Sequence, residues 1–332
     1  MTGCGMEEIR WGIIGCGNVC ERKSAPAFNM VTGSRLVAVM RRNEALLKDF
    51  AQRHAVPKWY TDAGALLADP QVNAVYIATP PGLHARFTIQ ALQAGKPVYV
   101  EKPMATSYRE CLLMNQASQA AGQPFYVAYY YRSLPYFQKI RQLLQDGRIG
   151  TPTSASLTYI IPPKPGDSDR ENPPWRLDPQ ISGGGYFFDL ACHQIDLLDF
   201  LMGPIISAAG AAANRGGLYE AQDTVVASLG FQSGALAVGC WCYVGARDQS
   251  MDLIEIYGTG GKITFCTSTR SPIQLFTGDN TESWTFSKPV PSQLFMIESI
   301  CKSLLGQKSF PSNRESAART SWAMDKIFNR LP

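Results

Sequence analysis

Along the first part of the chain, short apolar runs alternate with longer stretches in which apolar residues recur every three or four positions. The runs at 9–15, 36–41, 73–79, 97–101 and 125–131 are rich in β-branched and aromatic residues and nearly free of charge, as strands buried on both faces are. Between them, 44–54, 84–94 and 108–121 carry helical spacing, and Gly95 and Gly122 fall where a helix C-cap places glycine. Strand and helix in alternation predict βαβ units, and therefore a parallel sheet.

After Gly150 the pattern changes. The runs at 153–161, 224–231, 235–242, 252–257 and 262–265 alternate apolar with polar residues, which predicts a largely antiparallel sheet. Residues 162–179, dense in Pro, Asp and Asn, read as an exposed loop. Helical spacing resumes over 185–202, 292–305 and 313–330. The expectation is an α/β domain with a doubly wound parallel sheet over 1–125 and an α+β domain on an open sheet over 126–332. The terminal helix 313–330 is expected to pack back on the first domain. A chain of 332 residues exceeds the size at which a single core stops growing, which agrees with two domains.

Charge narrows the partners. The 31 basic and 27 acidic residues are spread along the chain without a Lys/Arg stripe, so nucleic acid is not an expected partner. No apolar run approaches membrane-spanning length, and Glu7 and Glu8 stand where a signal peptide needs positive charge. These features predict a cytoplasmic protein acting on small molecules, with no membrane partner. The nine cysteines form an odd set without any CxxC and read as reduced, mostly buried thiols, Cys16 and Cys192 included.

Three motifs carry candidate chemistry. Gly15-Cys16-Gly17 follows the first strand and opens a helix, so Gly15, Gly17, Asn18 and Val19 could bring bare backbone to a pyrophosphate. An ordinary glycine turn is the alternative, since Cys20 stands where the third glycine of GxGxxG belongs. At the end of the second strand, where an acid would meet an adenosine ribose, the chain reads Arg41-Arg42. Two guanidinium groups favour NADP(H) over NAD(H), unless both are solvated surface arginines. Lys102 follows the strand predicted at 97–101, at the carboxyl edge where doubly wound sheets bind ligands. His84 opens a helix and either bonds the cofactor or caps that helix.

The ordered set Ala78-Thr79-Pro80-Pro81-Gly82-Leu83-His84, then 91–95, then Glu101-Lys102-Pro103, resembles the glucose-fructose oxidoreductase/inositol dehydrogenase/MocA family. The resemblance implies a Rossmann domain in which Thr79, Pro80 and Pro81 line the nicotinamide side of the cofactor. It also implies that Glu101 and Lys102 lie where nicotinamide and substrate meet.

The run Gly183-Gly184-Gly185 through Asp189, His193 and Asp196 resembles the same family's glycine-rich, Asp-then-His signature. On an α-helix these three polar residues would project from one face. His193 then reads as the acid/base, Asp189 as the residue that orients it and the substrate hydroxyl, and Lys102 as the stabiliser of alkoxide-like charge. One histidine with two carboxylates makes a poor zinc set, so no metal is expected. Arg132, Trp175 and Arg176 fall at family positions on the substrate side.

The implied activity is hydride transfer between a nicotinamide and a carbinol or carbonyl carbon of a sugar, inositol or related polyol. A glycosidase that uses transient oxidation and a non-catalytic cofactor-binding regulator are the alternatives. Pairing through the exposed face of the second sheet, as a homodimer or homotetramer, is implied by the same resemblance. Trp241 and Tyr243 in that sheet read as core rather than interface.

Overall fold

The computed structural model describes residues 7–267, 271–307 and 313–331. Cys4 lies outside them. Internal contacts divide the chain into two compact units. One contains the residues up to Ala105, Arg109–Ser133 and Lys288–Ala317; the other contains Thr106–Tyr108, Leu134–Ser287 and the residues from Ala318 onward. The first unit thus runs past the boundary expected between 125 and 126, to Ser133, and takes in Lys288–Ala317 from the region expected to form the second domain.

In the first unit, β1 (Ile9–Ile14), β2 (Ser34–Met40), β3 (Lys58–Tyr60), β4 (Ala74–Ile77), β5 (Val98–Val100) and β6 (Phe125–Val127) form one sheet. Its order is β3-β2-β1-β4-β5-β6, and every pair is parallel. The helices α1 (Ala25–Met30), α2 (Glu44–Arg53), α3 (Ala63–Ala68), α4 (His84–Gln93) and α5 (Tyr108–Ala121) lie between strands in the chain. The strands β4, β5 and β6 are buried along their whole length, which is why they read as continuous apolar runs. Trp11, Phe28, Tyr76 and Tyr99 stack through this core with ring centroids 4.9 to 5.5 Å apart. Strand order reverses between β1 and β4, so the carboxyl ends of these two strands flank the ligand-binding crevice of the fold.

The second unit holds an eight-stranded sheet of β7 (Pro152–Ile160), β8 (Ile205–Ala213), β9 (Thr224–Phe231), β10 (Leu236–Cys242), β11 (Met251–Gly258), β12 (Gly261–Phe265), β13 (Ile273–Thr277) and β14 (Asn280–Trp284). Its order is β14-β13-β12-β11-β7-β10-β9-β8, antiparallel throughout except for the parallel pair β7–β10. The helices α6 (Pro135–Gln145), α7 (Pro179–Ser182) and α8 (Cys192–Met202) belong here. Of the closing helices, α9 (Leu294–Leu304) belongs to the first unit, while α10 (Arg314–Ile327) is assigned to the second from Ala318 onward.

Alternation decides which face of this sheet is core. Leu157, Tyr159, Leu229, Trp241, Ile254 and Ile256 point inward and are buried, and Tyr243 just beyond β10 is fully buried too. The Trp241 indole donates to Gln194 Oε1 on α8 at 2.6 Å. All but one residue of α8 is buried, which explains why it is apolar around most of its circumference. On the opposite face, Val226, Leu236, Val238, Met251 and Leu253 are exposed.

Candidate active site

The residues singled out in the sequence gather into two sets, each within one unit. In the first, β1 ends at Ile14 and the chain turns at Gly15 with φ of +91°. A Cβ there would lie 2.9 Å from the Thr79 amide nitrogen, so both the conformation and the close approach require glycine. The Gly15 N–H donates to Met40 O at 2.9 Å, tying the turn to the end of β2. A Cβ at Gly17 would meet only the Gly15 carbonyl, at 3.9 Å, leaving the backbone open to a ligand. Asn18 and Val19 begin the helix, which widens into a π-helical turn at Cys20–Ser24 before α1.

Cys20 packs its sulfur toward the Gly15 carbonyl and fills the place of the missing glycine. Burial pushes the Cys16 thiol up to about 11 and the Cys20 thiol higher still, so both remain protonated at neutral pH. Arg41 reaches from the end of β2 to the same turn, where its Nη1 donates to Cys16 O at 3.3 Å. Arg42 beside it is exposed.

After β4, the Thr79-Pro80-Pro81 stretch enters a short 3₁₀ turn that leads into α4. The Thr79 hydroxyl oxygen is buried and has no hydrogen-bond partner. His84 is fully buried, with Nε2 2.8 Å from Thr79 O and Nδ1 2.9 Å from Pro103 O, so its ring spans two protein carbonyls.

Beyond β5, Glu101 turns its carboxylate into the core. Oε1 accepts from the Tyr76 hydroxyl and from Gln293 Nε2, both at 2.6 Å, while Oε2 accepts from the Lys102 N–H at 3.2 Å. Gln293 Oε1 in turn accepts from Tyr99 at 2.9 Å. This network fixes the backbone from which the half-buried Lys102 departs. Gln293, Tyr76 and Tyr99 had no distinguishing signal in the sequence, because Gln293 lies 192 residues from its carboxylate partner. Arg132 is buried in the 3₁₀ turn Tyr130–Ser133 of this unit, to which Lys102 also belongs, whereas Trp175, Arg176, Asp189 and His193 belong to the second.

In the second unit, Gly183, Gly184 and Gly185 all have positive φ. A Cβ on Gly184 would sit 2.4 Å from the Phe188 ring. Ser182 Oγ accepts the N–H groups of Gly184 and Gly185, and the chain then enters a π-helical turn at Phe187–Ala191. The two π turns thus sit at the two motifs, a placement frequent at functional sites.

Asp189 lies in the second π turn and His193 in the first turn of α8, so regular α-helical spacing does not describe their relation. Asp189 Oδ2 accepts from Arg176 Nε at 3.0 Å, and the Arg176 guanidinium lies over the Trp175 ring at 4.4 Å. The loop at 162–179 is thereby pinned to the motif. Asp196 Oδ1 accepts from Thr320 Oγ1 at 3.4 Å. Asp189, His193 and Asp196 are all buried. Among the described residues, no group of three His, Cys, Asp or Glu side chains is placed to hold a metal.

The glycine turn, the open approach at Gly17 and the orphaned Thr79 hydroxyl fit a nicotinamide dinucleotide at the carboxyl edge of the parallel sheet. Fold and site define a nicotinamide-dependent oxidoreductase. Residues 9–129 match the oxidoreductase family with an NAD-binding Rossmann fold, and residues 137–264 match the GFO/IDH/MocA C-terminal domain. An oxidoreductase of Formosa agariphila is 38% identical over 319 residues, covering 96% of this chain and 97% of its own. A 1,5-anhydro-D-fructose reductase of Ensifer adhaerens is 30% identical over 233 residues, covering 69% and 67%. The structure of levoglucosan dehydrogenase in complex with NADH and levoglucosan superposes with a TM-score of 0.85 at 22% identity, covering 97% of this chain and 96% of its own. The chain belongs to the glucose-fructose oxidoreductase/inositol dehydrogenase/MocA family, and it is an enzyme of oxidation and reduction.

Among the described residues, no helix is long and apolar enough to cross a membrane, and none of the cysteines is in a disulfide.

Proposed function

We propose that the protein transfers a hydride between NADP(H) and a carbinol or carbonyl carbon of a sugar, inositol or related polyol in the cytoplasm. The observation that carries the reading is the convergence of the Gly15 turn, the Thr79 turn and the loop bearing Lys102 along one edge of the parallel sheet. Gly15, Gly17, Asn18 and Val19 would hold the pyrophosphate, with Thr79, Pro80 and Pro81 beside the nicotinamide. When bound, the nicotinamide accepts or supplies the hydride. In the oxidation direction, His193 takes the hydroxyl proton as the carbon–hydrogen bond breaks and the carbonyl forms. Asp189, oriented by Arg176, positions the hydroxyl, and the Lys102 ammonium stabilises the developing negative charge on oxygen.

The test is a fluorescence titration with NADPH and NADH, followed by an absorbance screen of the oxidised cofactors against a panel of sugars and polyols. Binding with substrate-dependent reduction supports the reading. Binding without turnover points to a regulator, and sugar release without net reduction points to a glycosidase. Failure to bind either cofactor removes the proposal.

The NADP(H) preference rests on Arg41 and Arg42 standing where a ribose-binding acid is absent. Replacing both with alanine should weaken NADPH binding about ten- to a hundredfold and leave NADH nearly unchanged. Equal losses for the two cofactors would show that the arginines serve the turn rather than the 2′-phosphate.

The open face of the second sheet is proposed to pair with a second copy of this chain, giving a homodimer or homotetramer. Supporting this, Val226, Leu236, Val238, Met251 and Leu253 present apolar side chains from β9, β10 and β11 on a face left outward. The double change Leu236→Asp with Val238→Asp is expected to reduce the mass seen by light scattering to that of one chain. A mass unaltered by both charges would place the interface elsewhere.

A further inference from the structure

The ring of His84 is a fully enclosed titratable group of the first unit to which the proposed chemistry gives no task. It is fully buried, and each of its nitrogens faces a backbone carbonyl oxygen, Thr79 O at 2.8 Å and Pro103 O at 2.9 Å. Carbonyl oxygens only accept. A neutral imidazole carries a single N–H, so it satisfies one of these contacts and turns a lone pair toward the other oxygen. Only the imidazolium donates to both. The two carbonyls belong to separate loops, the turn after β4 and the loop after β5. The second carries Lys102, whose backbone is held on its other side by Glu101.

We propose that His84 is a positioning residue whose proton count sets how firmly the Thr79 turn is drawn to the loop carrying Lys102, and through both how well the cofactor is held. This rests on the nicotinamide reading above. The charged groups facing the ring are Glu101, which favours the imidazolium, and Lys102, which opposes it. Arg86, on the same helix, is exposed and lies over the Phe87 ring.

Burial holds the titration of the ring below the ordinary imidazole range, so the neutral form dominates at neutral pH and the second contact is lost there. Lowering the pH adds the missing donor. Cofactor affinity is therefore expected to rise as the pH falls below the usual imidazole value, by about three- to tenfold. By reciprocity, bound cofactor raises the pH at which His84 titrates.

The experiment is NADH binding by fluorescence between about pH 5 and 8 for the wild type, His84→Asn and His84→Gln. NADH is used because it lacks a 2′-phosphate that titrates in the same range. The wild type is expected to show the acid-side gain, and both amide variants a flat profile with weaker binding. A purely structural role would lower the melting temperature of the variants without altering the pH dependence, so superimposable profiles would overturn the proposal.

Should the variants fail to fold, the wild type still decides. The chain has three histidines, and ring-nitrogen NMR can assign them with His54→Gln and His193→Asn. A His84 titration that moves upward on saturation with NADH supports the proposal, and an unmoved one overturns it. If the wild type binds no nicotinamide at any pH, the oxidoreductase reading has failed first, before any His84 variant is compared.

Discussion

Replacing His193 with asparagine lowers turnover about a hundredfold or more and leaves cofactor affinity at the wild-type level. The amide occupies similar space on the first turn of α8 but cannot take a proton at neutral pH. Cofactor affinity is spared because the residues proposed to hold the dinucleotide all lie in the other unit. The expected signature is a fall in kcat and in kcat/KM by similar factors, together with loss of the pH dependence that His193 imparts. Wild-type turnover in this variant across the pH range would assign the proton transfer to another group.

The largest loss of stability is expected from Arg319→Met. Asp199, near the end of α8, is 4% exposed, and its carboxylate receives Arg319 Nε at 2.6 Å and Nη2 at 3.0 Å. The Ile205 N–H adds a third bond at 2.9 Å, where the chain enters β8. Removing the guanidinium takes two hydrogen bonds and a counter-charge from a buried carboxylate, which costs about 3–5 kcal/mol. Urea denaturation should show it as a lower midpoint with little change in slope. Combining Arg319→Met with Asp199→Asn should recover part of the loss, because the amide needs no counter-charge and still accepts from Ile205. A double variant no more stable than Arg319→Met would mean that the cost lies in packing and not in the lost counter-charge.

The sequence was most legible where burial was most complete. Strands β1, β4 and β5 are enclosed by their neighbours, so selection for apolar side chains left continuous runs. Gly95 and Gly122 cap helices in left-handed conformation as their positions suggested. Strand β8 escaped notice because Ile205–Ala213 is built mostly from alanine and glycine, and its place in the sheet comes from pairing with β9. The hairpin β13–β14 was missed for a related reason. Asn280–Trp284 is a polar edge strand that owes its conformation to its partner.

Helix α6, which follows Leu134, also went unread. The apolar run at 125–131 reads as one strand, but β6 stops at Val127 and Tyr130–Ser133 folds into a 3₁₀ turn. Apolar side chains alone do not distinguish those two backbones.

At the site, motif order placed Gly15, Thr79 and Lys102 just beyond the ends of the expected strands and His193 on the expected helix, while Asp189 falls in a π turn and not on a regular α-helix. The supports beneath them were illegible. No local pattern announces that Gln293 braces Glu101, that Arg176 holds Asp189, or that the helices around both motifs widen into π turns. These are contacts and hydrogen-bond shifts made by the folded chain, and hydrophobic spacing is nearly blind to them.

The parallel pairing of β7 with β10 has a consequence for the order in which this protein can assemble. Strand β7 is the first of its sheet to leave the ribosome, yet it lies at the centre, between β10 and β11. Both neighbours are made much later, and no hairpin can recruit either one to it. The middle of the sheet must therefore close last, after the local hairpins β8–β9, β9–β10 and β11–β12 have formed. Until then β7 waits with both edges bare, the stretch of the nascent chain most in need of a chaperone.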